Sequence, residues 1–151
     1  MPRRPDAERL AAWRLLLETH AAVVDRLSHE LEAECDLPLT WYDVLLQLSL
    51  APGGRLRMRD LADAVLLSRS GLTRLVDRMA AAGLVCREAH ASDGRGANAV
   101  LTPAGRAALR RAAPVHLRGI EAHFARHLSD EDVAALRSAL GRVVTAEREQ
   151  P

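Results

Sequence analysis

The sequence predicts a mainly α fold with long helices at both ends and a small β-hairpin between them, and three observations carry that reading. Apolar residues recur at helical spacing near both termini, two short helical segments lie between residues 58 and 82, and turn formers at 90–97 separate two short strand-like runs. The composition agrees. Of 151 residues 48% are hydrophobic and 27% charged, while 3% are aromatic, so Leu, Val and Ala must build the core. A chain of this length makes one compact folding unit rather than two.

At the amino end Leu10, Trp13, Leu17, Val24, Leu27 and Leu31 step by three and four along one face, which predicts a helix over 6–35. At about 1.5 Å per residue it would run roughly 45 Å, too long for so small a chain to cover by itself, so a partner subunit is its natural cover. Ser129, Asp130, Glu131 and Asp132 open a last helix in which Val133, Leu136, Leu140 and Val143 carry a similar stripe. Residues 1–35 and 103–151 are therefore expected to form a helical dimerisation region around a lobe at 36–102.

Within that lobe the Thr40 hydroxyl is placed to cap a helix, with Asp43 reaching back to it, and Val44, Leu45, Leu48 and Leu50 continue the helix to residue 51. Pro52-Gly53-Gly54 stops it. A short helix follows at 58–65, then a tight connection through Leu66 and Leu67, then a second helix capped by Ser68 that runs to Ala82 and stops at Gly83. Strands at 84–88 and 98–101 flank the turn-rich loop. Thr102 is a cap with Pro103 at the first helical position, and it opens a helix to about residue 127.

The net charge of +1 conceals a division. Residues 55–111 hold eleven arginines against five acidic side chains, a local balance of +6, and the rest of the chain sums to −5. That split suggests a basic face that meets phosphate. Two short helices joined by a tight turn, followed by a hairpin with a basic tip, make a winged helix-turn-helix, in which an α-helix enters the major groove of duplex DNA. With that helix starting at Ser68, the candidate DNA contacts are Ser68, Arg69, Ser70, Thr73, Arg74 and Arg78, while Leu72, Leu75, Val76 and Met79 turn inward. Gly71 would spare bulk where helix and DNA come closest.

LTWYDVLLQL at 39–48, SRSGLTRLVDRMAAAGLV at 68–85, DGR at 93–95 and AVLTPAG at 99–105 occur in the order shown by the MarR family of bacterial transcription regulators, which this chain resembles over nearly its whole length. The resemblance implies a two-fold homodimer built from the terminal helices, with a recognition helix in each major groove and a wing arginine in the minor groove. By position that arginine is Arg95, oriented by Asp93. Gly94 and Gly96 depart from the adjacent basic residues of many members, and should loosen the wing.

The family also implies a cleft for a small apolar or phenolic ligand between the dimerisation helices and the DNA-binding lobe, for which Trp13, His20, Trp41, Tyr42, Asp43 and His116 are candidate lining. Capping explains Asp43 equally well, dimer packing Trp13, and a hydrogen bond inside the interface His20. Two further signals point to other sensors on the same fold. His116, His123 and His127 would fall on one helix face, as zinc ligands would. Cys35 and Cys86 are the only thiols, too far apart in sequence for a disulfide framework and without a feature that would lower a thiol pKa, so both are expected to be buried and a redox sensor is the weaker alternative.

Catalysis is disfavoured. Ser70-Gly71 lacks the upstream glycine of a nucleophile elbow, and there is no glycine-rich phosphate loop. No apolar run reaches the roughly 20 residues that span a bilayer, so a cytoplasmic chain without cofactor or membrane partner is expected.

Overall fold

The computed structural model of the chain describes residues 4–67, 70–89 and 96–150. Six helices and a three-stranded sheet follow in the order α1 (Ala7–Cys35), α2 (Leu39–Leu50), β1 (Arg55–Arg57), α3 (Met58–Ala64), α4 (Leu72–Ala81), β2 (Val85–Ala89), β3 (Ala97–Leu101), α5 (Pro103–His123) and α6 (Asp130–Glu149). Asp6 caps α1 by accepting from the Arg9 amide, and Asp36, left-handed at φ 50°, ends it. No helix among the described residues is long and apolar enough to cross a membrane.

The core sits where α2 and α5 cross beneath the sheet and the two short helices. Leu31, Leu45, Leu48, Leu61, Val76 and Met79 are fully enclosed there. Only the carboxyl half of α1 joins them, through Leu27 and Leu31, whereas Leu10, Trp13 and Leu17 of the same stripe stand open. In α6 no residue is buried. The amino half of the first stripe and most of the last are thus bare in the single chain, as expected of helices that need a partner.

The sheet exceeds the predicted hairpin. β3 pairs antiparallel with β2 on one side and with β1 on the other, Leu56 facing Ala99. Sequence periodicity missed β1 because three residues are too few to show an alternation. α5 is also shorter than expected: it ends at His123, and Ala125–His127 form a tighter 3-10 turn.

Where α5 leaves the sheet, Thr102 locks three segments together. Its hydroxyl donates to the Gly83 carbonyl at 2.6 Å and accepts from the Gly105 amide at 3.0 Å, and its amide donates to the Leu84 carbonyl at 3.2 Å. Gly105 is packed so closely that a Cβ would run into the Leu84 carbonyl oxygen. Gly105→Ala should therefore force the backbone apart and cost about 1 to 3 kcal/mol. Thermal denaturation beside wild type would show a lowered midpoint, and an unchanged one would mean that this junction is looser than described.

Candidate nucleic-acid interface

α4 is strongly two-sided. Leu72, Leu75, Val76 and Met79 are buried, and Thr73, Arg74, Asp77 and Arg78 form the outward face. The helix begins at Leu72 rather than at Ser68. Gly71 takes a left-handed conformation at φ 72°, which cannot continue a helix backwards, and serves as the N-cap without a side-chain bond. Within the chain a Cβ at Gly71 would meet nothing within 4 Å, and the left-handed backbone is reason enough for a glycine there. Ser70 lies in the turn ahead of the helix and is exposed; Ser68 and Arg69 lie outside the described residues. At the other end the Gly83 amide donates to Ala80 and the Leu84 amide to Met79, with Gly83 at φ 78°, closing α4 with a glycine as predicted.

Arg74 and Arg78 are exposed and carry no ion pair among the described residues. Two uncompensated guanidiniums beside Thr73 on one helix face can fork onto base edges or phosphate. The wing candidates Asp93 and Arg95, with Gly94, lie outside the described residues, which resume at Gly96. The strands that carry them are in place.

Asp43 does not cap α2. Pro38 holds the N-cap position with no side-chain bond, and the Asp43 carboxylate, 7% exposed, turns instead to the connection between α3 and α4. Its Oδ2 accepts from the Leu66 amide at 2.8 Å and the Leu67 amide at 3.2 Å, and Gln47 donates to Oδ1 at 3.4 Å. Helix α2, packed on α5, thereby fixes the turn that leads into α4. Capping and latching look alike in sequence, and only the fold separates them.

Of the ligand-pocket candidates, Tyr42, Asp43 and His116 come together. The Tyr42 and His116 ring centroids lie 4.4 Å apart, and the buried His116 Nδ1 has no hydrogen-bond partner among the described residues. Burial holds the His116 imidazole below the ordinary histidine value, the nearby Asp43 carboxylate opposing part of that shift, and burial pushes the Tyr42 phenol up. Trp41 instead lines a separate groove of about 500 Å³ with Cys35, Leu37, Leu84, Ala108 and Arg111. Trp13, 57% exposed, and the exposed His20 stand on the bare half of α1.

The three histidines do not converge. α5 ends at His123, whose Nε2 meets Glu30 Oε1 at 2.6 Å, so His127 falls off the helical repeat, while His116 turns to Tyr42. No cluster of three metal-ligating side chains forms among the described residues. Nor are both thiols buried: Cys35 is half-buried, 3.8 Å from the Arg111 carbonyl, but Cys86 is exposed because it sits on β2, which shows solvent all of its residues but Val85.

Comparison with known proteins agrees with this geometry. A model of the MarR family matches residues 36–96. The crystal structure of AbsC, a MarR family transcriptional regulator from Streptomyces coelicolor, superposes with a TM-score of 0.87 at 36% identity, over 98% of this chain and 99% of that one. A second S. coelicolor MarR family regulator, solved in complex with DNA, gives 0.87 at 35% identity over 100% of this chain and 93% of the other. A curated relative from Bacillus cereus, an uncharacterized HTH-type transcriptional regulator, is 29% identical over 119 residues, 79% of this chain and 78% of that protein. With the helix pair and the strands of the wing in place, and likeness at 35–36% identity running over 93–99% of the two solved regulators, the chain belongs to the MarR family of transcription regulators.

Proposed function

We propose that the protein is a ligand-responsive repressor that binds a pseudo-palindromic operator in double-stranded DNA as a homodimer. The observation that carries this reading is the outward face of α4, where Thr73, Arg74 and Arg78 are exposed over a fully buried apolar row. The 35%-identical relative solved with DNA supports it. Residues 1–35 and 103–151 form the dimerisation region and 36–102 the DNA-binding lobe. α4 enters the major groove, Ser68, Arg69 and Ser70 ahead of it in sequence add contacts to the DNA, and Arg95, oriented by Asp93, enters the adjacent minor groove. A small apolar or phenolic ligand would act beside Tyr42 and His116, where one buried ring nitrogen lacks a partner. The family and fold are those of regulators rather than enzymes.

A selected operator, titrated with wild type and Arg74→Ala at several salt concentrations, tests the central contact. A guanidinium forked onto guanine is worth about 1 to 3 kcal/mol of base discrimination. Arg74→Ala should lose that preference at one symmetric pair of positions. Equal weakening on every sequence, with a shallower salt slope, would make Arg74 a phosphate clamp instead.

A further inference from the structure

Arg87 belongs by sequence to the basic segment, yet its side chain does not face outward from the interface. It leaves β2 and reaches back to the recognition helix, where Nη2 lies 3.0 Å from Asp77 Oδ1 and donates to the Thr73 carbonyl at 3.3 Å. Arg87 is 32% exposed and Asp77 60%. Its neighbour Glu88, which alternation sends to the opposite face of the strand, pairs with Arg55 of β1 at 3.1 Å. The root of the wing is thus pinned on one face to α4 and on the other to the strand leading into α3.

We propose that Arg87 is a positioning residue that sets the angle between the recognition helix and the wing, and so the distance along DNA between the bases each one reads. This rests on the DNA-binding function proposed above. Three features separate the role from a phosphate contact. The Arg87 charge is already met by Asp77, whereas Arg74 and Arg78, on the helix that carries Asp77, have no ion pair among the described residues. Its second bond goes to a backbone carbonyl of the first turn of α4, so it restrains the helix itself rather than a mobile side chain. Asp77, in turn, would repel phosphate from the base-reading face if Arg87 did not hold it.

An exposed ion pair contributes little to stability, so Arg87→Ala should fold normally, which circular dichroism can check. Its operator affinity should fall about tenfold, with loss of selectivity for the spacing between central and flanking base pairs. The slope of log affinity against log salt should stay at the wild-type value, since no phosphate contact is lost. Asp77→Ala/Arg87→Ala should be no worse than Arg87→Ala alone, and Arg87→Lys should recover most of the affinity. In the DNA-free protein, Arg87→Ala should speed hydrogen exchange at the Leu75 to Arg78 amides of α4, the first in the helix with intrahelical acceptors.

A slope shallower by about 1 would show Arg87 to be a phosphate contact. Unchanged affinity, spacing preference and exchange would show it to be a surface pair without function. A wild-type protein that bound no operator would overturn the proposed function, and the exchange measurement would still decide whether the strut holds α4.

Discussion

Leu140→Glu/Val144→Glu is expected to leave a folded monomer that has lost specific DNA binding. Both side chains project from α6, which buries nothing within its own chain, and Val143 between them is 59% exposed. Like Leu10, Trp13 and Leu17 of α1, they are exposed apolar side chains on the surface proposed for the dimer. Two glutamates would have to be desolvated against that surface in a dimer, and an unpaired buried charge is not tolerated. The capping box at Ser129 and Asp132, whose bonds from Ser129 hold the Asp132 carboxyl below its usual range, is untouched, so α6 should persist. A monomer presents one recognition helix. Specific sites are typically bound roughly 10³ to 10⁷ times more tightly than non-specific DNA, so a loss of about a thousandfold is expected. Sedimentation and operator titration would show it together; a variant that remained dimeric would mean that α6 is not part of the interface.

Asp43→Ala should be the most damaging single substitution inside the DNA-binding lobe. It strands the Leu66 and Leu67 amides in a part-buried turn, and hydrogen bonds to a charged group are worth about 1.5 to 3 kcal/mol each. A loss of about 2 to 4 kcal/mol in urea denaturation is expected, with weaker operator binding because the entry to α4 is no longer latched. Asp43→Asn keeps an acceptor and should fall between. The pH dependence should change as well. His116 titrates lower when folded, so between its folded and ordinary pKa the unfolded chain binds more protons, and stability rises with pH across that window. Removing the Asp43 carboxylate, which opposes the depression, should extend the window to lower pH. Equal urea midpoints for Asp43→Ala and wild type would remove the latch from the account.

Much of this was legible in the chain. The helical stripes, the two glycine stops at 53 and 83, and the Thr102-Pro103 opening each leave a local signature, because period, left-handed backbone and capping act within a few residues. What the sequence withheld depends on segments far apart in it. Asp43 bonds amides 23 and 24 positions away, and Arg87 meets Asp77 only once β2 is paired and α4 is seated. The start of α4 was misplaced because Ser68 is a good cap by type, while Gly71 at φ 72° decides where the helix begins. The three histidines are not brought together for a related reason: their shared face holds only if α5 continues past His123, and the chain tightens into a 3-10 turn there.

Two copies of α4, held by a two-fold dimer, are expected to read two half-sites on one face of the duplex. Hydroxyl-radical footprinting on a selected operator, with the chains per operator counted in the same titration, tests it most directly. Two chains per operator and two symmetric protected segments about 10 to 10.5 base pairs apart are the predicted result. One chain per site, or uniform protection without symmetry, would contradict it.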